Sequence, residues 1–160
     1  AAEKIIKLNI NQNIYFNIIG DIDKSNVTSI RKNLISKYKK ITKINFLGHK
    51  ENVDKYISKS DCIVLPSYRE GLPRVILEAL LLERPVIATN VPGCNRIIKN
   101  NFNGILCDSR SDISLKDAMI KFINLPKNKR KKMGINGRKF VENEFNEKKV
   151  INTYFKIIKR

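Results

Sequence analysis

Short runs of apolar residues alternate with helical stretches through the first two thirds of the chain, and this alternation constrains the fold more than any other feature. Strand candidates lie at residues 14–19, 44–47, 62–65, 86–89 and 104–107. Helix candidates between them lie at residues 26–38, 52–58 and 73–82. The strand candidates are apolar at consecutive positions, as expected of strands covered on both faces. Strands that alternate with helices form right-handed crossovers, so we predict an α/β fold with a Rossmann-like parallel sheet flanked by helices.

The last third of the chain is predicted to be helical. Its helix candidates lie at residues 114–125, 126–144 and 147–159. Pro126 can begin its helix, because its missing N–H would have no partner there. A chain of 160 residues has the size of one ordinary domain, and no change of composition marks a boundary. We therefore predict a single domain over residues 1–160 that ends in a helical segment.

The formal net charge of +17 would attract anions such as nucleic acid, anionic lipid or phosphorylated substrates. The chain is also rich in Lys, Asn and Ile, which A/T-rich codons encode, so genome composition is an alternative explanation. Outside residues 127–132 the basic residues are scattered, without an arginine-lined groove or an aromatic platform. No nucleic-acid partner is therefore expected. Residues 127–132 fit a solvated helix face better than a membrane patch, although peripheral contact with an anionic membrane stays open.

Metal centres and disulfide frameworks are not expected in this chain. Its three cysteines are far apart and His49 is its one histidine. No apolar run reaches the roughly 20 residues that span a bilayer. Residues 1–4 lack the features of a secretory signal, so a cytoplasmic protein is predicted.

Glycine and small polar residues follow several of the predicted strands, where open α/β sheets bind their ligands. These strand ends are Gly20-Asp21, Gly48-His49, Pro66-Ser67-Tyr68 and Asn90-Val91-Pro92-Gly93. Such residues also suit ordinary turns. For Gly20 and Gly48 taken alone, the turn explanation is favoured.

The segment after the third predicted strand has the most informative pattern. A loop there contains Glu70 and Gly71, and Pro73 begins a helix whose N-terminal N–H groups could bind phosphate. That helix is apolar on nearly every side and is expected to be buried, which makes Glu78 unfavourable unless it is paired. Two vicinal ribose hydroxyls would pair with it. An ion pair with Arg74, one turn earlier, is the alternative.

Glu70 and Glu78, separated by seven residues, resemble the Glu-x7-Glu motif of family-4-type retaining glycosyltransferases, which have the two-domain GT-B fold. Further segments similar to the C-terminal domain of that family follow in the same order. They are residues 18–21, 46–48, 60–61, 85–93, 103–106 and 132–138. The resemblance implies one half of a GT-B fold, namely the half that binds the donor.

In that family the residue matching Glu70 contacts donor-sugar hydroxyls, and the residue matching Glu78 binds the ribose. The resemblance makes Glu70 the catalytic candidate. The implied donor-binding residues are Gly20, His49, Ser67, Glu70, Gly71, Leu72, Pro73 and Glu78. The implied reaction transfers a sugar, such as a hexose, from a nucleotide-diphosphate sugar to an acceptor with retention at the anomeric carbon. It needs no metal or other cofactor, and cell-surface glycan or glycolipid synthesis would fit it.

Three departures from the family pattern set further expectations. The family usually has an earlier strand whose Gly-Arg and nearby Lys clamp the diphosphate. We expect that strand and the N-terminal acceptor domain to be missing from this chain, which would then be inactive alone. Arg96 stands where the family often has Glu. Glu83 replaces a common Gly at the end of the motif helix, which we expect to be a structural difference only.

Other functions remain open on the sequence. A non-catalytic nucleotide-binding module, or a truncated fragment without activity, would keep the same residues. A sugar-nucleotide epimerase or phosphorylase shares the fold, but is not expected to show this Glu spacing with the loop that follows Glu70.

Overall fold

The computed structural model describes residues 1–8, 13–21 and 32–146. The predicted helix at residues 147–159 and the first part of the one at residues 26–38 lie outside these ranges. The chain forms two compact units, residues 1–53 and 54–160. No helix in the described ranges is long and apolar enough to cross a membrane.

The described residues of the first unit form two parallel strands and two helices. Its elements are α1 (Ala2–Lys7), β1 (Phe16–Ile19), α2 (Lys32–Lys39) and β2 (Ile44–Gly48). Phe16 pairs with Ile44, and the register shifts between Ile18 and Ile19. The strands confirm the predicted positions to within two residues, whereas the sequence analysis did not anticipate α1.

The second unit is built on a three-stranded parallel sheet in the order β3-β4-β5. The strands are β3 (Ile63–Leu65), β4 (Val86–Thr89) and β5 (Gly104–Cys107). The helices are α3 (Val53–Ser58, which starts at the last residue of the first unit), α4 (Arg74–Leu81), α5 (Pro92–Ile97), α6 (Asp112–Ile123) and α7 (Lys127–Glu144). The predicted α/β fold with parallel strands and flanking helices is confirmed. The strands pair as a two-stranded and a three-stranded sheet.

Strand β4 forms the centre of the second unit. All four of its residues are buried, which confirms that both of its faces are covered. In β1, by contrast, the adjacent residues Asn17 and Ile18 are exposed, so the prediction of cover on both faces was wrong for that strand. Helix α4 contacts β3 and β4, and α6 contacts β4 and β5. The apolar residues packed around the strand are Ile76, Ala79, Leu80, Ile97, Ile98, Ala118, Met119 and Phe122.

Helix α4 ends in a Schellman motif that Glu83 completes. The Glu83 N–H donates to the Leu80 carbonyl at 3.0 Å, and the Arg84 N–H donates to the Ala79 carbonyl at 2.8 Å. Glu83 has φ 57°, a left-handed conformation that glycine adopts at no steric cost. The sequence expectation that position 83 is a structural position fits this geometry.

Helix α7 packs closely against α4 through two glycines. A Cβ added at Gly134 would lie 2.1 Å from the Glu83 carbonyl oxygen. A Cβ added at Gly137 would lie 2.5 Å from the Leu80 Cδ2 atom. These contacts set the distance between the two helices, because α7 has no side chain of its own at either point.

Gly134→Ala is expected to destabilise the protein. Alanine favours a helix over glycine by about 1 kcal/mol, but overpacking costs about 1–3 kcal/mol, and the clash here is with backbone that cannot rotate away. We expect a net loss of at least about 1 kcal/mol in the free energy of unfolding, measured by urea denaturation. Lys131→Ala, at an exposed position of the same helix, is the control and should change stability by less than about 0.5 kcal/mol. A more stable Gly134→Ala variant would contradict the described packing.

Candidate functional site

The loops that follow β3, β4 and β5 meet at one edge of the three-stranded sheet, because the strands are parallel. They comprise residues 66–73, 90–91 and 108–111. The predicted residues Ser67, Glu70, Gly71, Leu72 and Pro73 all lie in the first of these loops. The structure therefore brings this group together where an α/β sheet offers its ligand site.

Two contacts fix the loop after β3. The hydroxyl of Thr89, the last residue of β4, donates a hydrogen bond to the Ser67 carbonyl. Gly93, in the first turn of α5, lies against the next part of the loop, since a Cβ there would be 2.5 Å from the carbonyl oxygens of both Glu70 and Gly71. The loop is therefore anchored on both sides of Tyr68.

The Glu70 side chain is half-buried and lies near the buried Cys94. Burial raises the pKa of the Cys94 thiol, and the negative charge of Glu70 raises that pKa further. The thiol is therefore neutral at pH 7 and adds no charge beside the carboxylate. A carboxylate in this environment can accept hydrogen bonds from hydroxyl groups of a ligand.

The N-terminus of α4 comes directly after the loop that contains Glu70. Pro73 is the N-cap and is buried, and no side chain caps the first turn. The N–H groups of Arg74 and Val75 can therefore donate to an anion, whereas that of Ile76 already donates to the Pro73 carbonyl at 3.1 Å. Gly71 is exposed, and a Cβ there would meet nothing within 4 Å, so no neighbouring group in the protein accounts for glycine at this position.

Glu78 is exposed, which corrects the prediction that the helix around it is buried on nearly every side. The buried face of α4 consists of Ile76, Ala79 and Leu80. In an eight-residue helix these positions form one stripe, and Glu78 lies on the opposite side with Arg74. The inference that burial forces Glu78 to take a partner was therefore wrong. Among the described residues Glu78 forms no ion pair with Arg74.

Glu78 nevertheless belongs to the same short segment as the loop. It is four residues beyond the start of α4, about 6 Å along the helix axis. An exposed carboxylate at this distance can accept hydrogen bonds from a ligand without loss of an internal partner.

Gly20 and His49 lie in the first unit, at the carboxyl ends of β1 and β2. The Gly20 N–H donates to the Gly48 carbonyl at 3.0 Å, and the His49 N–H donates to the Asp21 side chain at 3.2 Å. Gly20 and Gly48 have φ values of 134° and 69°, which favour glycine. The structure thus brings Gly20 and His49 to one end of the strand pair, with the His49 side chain exposed.

Several features that shape the site were not predicted from the sequence. The Thr89 hydroxyl and Gly93 both contact the backbone of the loop. Residues 92–97, for which no helix was predicted, form α5. Pro92 at the first helical position was the available signal for α5. Asn90 and Asn95 form an exposed amide pair, with the Asn95 Nδ2 atom donating to the Asn90 Oδ1 atom at 2.9 Å.

The described part of the chain contains no group of three or more His, Cys, Asp or Glu side chains that could hold a metal ion. Arg96 is exposed near the end of α5, and nothing in the structure assigns it a role.

Curated proteins with similar sequences are glycosyltransferases. Over 129 residues the chain is 33% identical to an uncharacterized glycosyltransferase of Methanocaldococcus jannaschii. This match covers 78% of the chain and 35% of that protein. Over 121 residues it is 32% identical to the UDP-Gal:alpha-D-GlcNAc-diphosphoundecaprenol alpha-1,3-galactosyltransferase of Escherichia coli. This match covers 76% of the chain and 31% of that protein. The chain spans about a third of the length of these relatives.

Solved structures share the fold. HepE of Anabaena, in complex with UDP, has a TM-score of 0.80 at 19% identity, covering 91% of this chain and 41% of that one. The C-terminal domain of a glycosyl transferase group 1 family protein from Francisella tularensis has a TM-score of 0.63 at 27% identity, covering 71% of this chain and 61% of that one.

The family model described as "Glycosyl transferases group 1" matches residues 1–140. Together with the relatives and the shared α/β architecture, this match shows that the chain belongs to the group 1 glycosyl transferase family.

Proposed function

We propose that this chain is the C-terminal, donor-binding domain of a family-4-type retaining glycosyltransferase. In the intact enzyme it would bind a nucleotide-diphosphate sugar, whose sugar is transferred to an acceptor with retention. The observation that supports this most directly is the anchored loop of residues 67–73, which presents Glu70 beside the uncapped first turn of α4.

Each part of this segment suits one part of a nucleotide sugar. Glu70 is the proposed catalytic residue because its half-buried carboxylate can hold the hydroxyls of the donor sugar. The bare backbone of Gly71 and the first turn of α4 suit the diphosphate, whose charge grows as the sugar leaves. The exposed Glu78 carboxylate would accept hydrogen bonds from the ribose.

The remaining proposed contacts rest on the family resemblance. Ser67 would line the loop, and the backbone of Leu72 and Pro73 would lie near the sugar and the diphosphate. Gly20 and His49 would lie on the side of the base. We propose a donor with uridine for the first tests, because HepE was solved with UDP and the E. coli relative is named for UDP-galactose. No metal is expected to take part.

We also propose a cellular setting. The E. coli relative is named for an acceptor linked to diphosphoundecaprenol, which is a lipid carrier. An intact enzyme with such an acceptor would work in the cytoplasm at the inner face of the membrane, in glycan or glycolipid synthesis. A net charge of +17 favours contact with anionic lipid.

A non-catalytic nucleotide-binding module is the alternative function. It would bind the same donor and lack turnover even when joined to the remainder of a full-length enzyme. Transfer by that longer protein would exclude it.

The ribose assignment can be tested with Glu78→Gln. We expect this variant to bind UDP about tenfold more weakly, since hydrogen bonds to a charged group contribute about 1.5–3 kcal/mol. Its affinity for 2′,3′-dideoxy-UDP should match that of the original chain, because this nucleotide lacks both hydroxyls. Calorimetric titration measures both affinities, and Asp117→Asn on the exposed side of α6 controls for charge. Equal UDP affinities for the original chain and Glu78→Gln would remove the role.

The anchoring of the loop can be tested with Gly93→Ala. The added methyl would press on the carbonyls of Glu70 and Gly71 and displace the Glu70 side chain. We expect the variant to lose the affinity difference between UDP-galactose and UDP while the Glu78 contact with UDP remains. Titrations with both nucleotides, and a thermal melt that shows the variant is folded, provide the measurement. An unchanged affinity difference would show that the loop does not position the sugar contact.

The chain alone is expected to bind donor without turning it over. Acceptor binding and the diphosphate clamp would come from other parts of the intact enzyme, because about two thirds of the length of each of these curated relatives lies outside the match to this chain. UDP release from UDP-galactose, measured with and without a lipid-diphosphate acceptor, tests this. Sustained release by the 160-residue chain would be the contrary result.

A further inference from the structure

Two exposed side chains, Tyr68 and Arg110, make a contact that the proposed donor site does not use. Tyr68 lies in the loop after β3, two residues before Glu70, and Arg110 lies in the loop after β5. The Arg110 Cζ atom is 5.7 Å from the centroid of the Tyr68 ring. This distance is within the range of cation–π interactions. The contact joins the two loops at the carboxyl edge of the sheet.

The backbone holds Arg110 in place. The Ser114 hydroxyl accepts a hydrogen bond from the Asp108 N–H at 2.9 Å, and the Ser111 hydroxyl accepts one from the Ser114 N–H at 3.1 Å. Between these anchors Arg110 has φ 59°, a left-handed conformation that residues other than glycine seldom adopt. Such outliers often mark functional positions. A fixed loop therefore presents an arginine where glycine would be sterically easier.

The guanidinium group is available to a ligand. Within the described ranges Arg110 forms no ion pair, and its side chain is exposed. Tyr68 is 69% exposed, so the ring supports one part of the guanidinium group without enclosing it. The N–H groups of this exposed guanidinium suit bidentate bonds to phosphate oxygens.

We propose that Arg110, oriented by Tyr68, is a further substrate-binding residue that contacts phosphoryl oxygens. The inference rests on the proposed function, because it assigns this residue to the same substrate site as Glu70. Tyr68 acts as a positioning residue. The phosphoryl group belongs either to the diphosphate of the donor or to a phosphate on the acceptor, and the two sources can be separated by titration.

Arg110→Gly tests the proposal with the 160-residue chain. Glycine accepts the left-handed conformation, so the melting temperature should stay the same or rise while the charge is lost. The probes are UDP, and inorganic pyrophosphate added to protein with and without saturating UDP. We expect the variant to bind one of the two probes about tenfold more weakly, as for loss of a charge-assisted hydrogen bond. A loss with UDP assigns the donor diphosphate, and a loss with pyrophosphate alone assigns the acceptor phosphate.

Control variants separate Arg110 from general charge and from folding. Lys131→Ala removes the same charge from an exposed position of α7 and should leave both affinities unchanged. Tyr68→Ala should lose affinity for the probe, because the ring that orients Arg110 is removed. Tyr68→Phe keeps the ring and should retain that affinity. If the hydroxyl of Tyr68 had a purely structural role instead, Tyr68→Phe would lose affinity as well. Unchanged affinities of Arg110→Gly for both probes overturn the proposal, as does a chain that binds neither probe. A chain that binds pyrophosphate through Arg110 but not UDP would contradict the proposed function and leave this inference standing.

Discussion

The close approach of Gly93 to the carbonyls of Glu70 and Gly71 is the contact on which the candidate site depends. It lets the first turn of α5 lie directly on a loop that has no regular secondary structure of its own. With the Thr89 bond to Ser67, it converts that loop into a fixed extension of β3 and β4. The position of the Glu70 carboxylate then follows from contacts to the backbone of the loop itself.

A second constraint positions Glu78. The two glycines of α7 hold α4 at short range, and the apolar stripe of α4 faces inward. Because the helix is only eight residues long, packing on one side leaves the other side exposed. Helix α4 thus connects the loop after β3, at its start, with the packing against α7 near its end, which turns Glu78 outward. Backbone hydrogen bonds define both the start and the end of the helix.

Local sequence predicted the central strands and failed where tertiary contacts decide. Strands β4 and β5 were predicted residue for residue, because continuous apolar runs between turn residues have few alternatives in an α/β chain. The burial of Glu78 was predicted wrongly, since apolar residues around a short helix do not all find a partner. The contact of Tyr68 with Arg110 joins loops that follow different strands, so no local pattern could indicate it. The assignment of the donor site as a whole came from the family resemblance, and the structure adds how its loop is held.

The packing of α7 also bears on how the net charge of this chain could change over evolution. The inward side of the helix is restricted to small or apolar residues, as at Gly134, Gly137 and Val141. Its lysines, by contrast, are exposed; they are Lys127, Lys129, Lys131, Lys132 and Lys139. Drift toward A/T-rich codons can therefore add lysine on this outer surface without touching the packed side, whereas a side chain at Gly134 or Gly137 would clash with Glu83 or Leu80. The composition of the outer face of α7 would then follow the codon usage of the genome, while that of the inner face is fixed by packing.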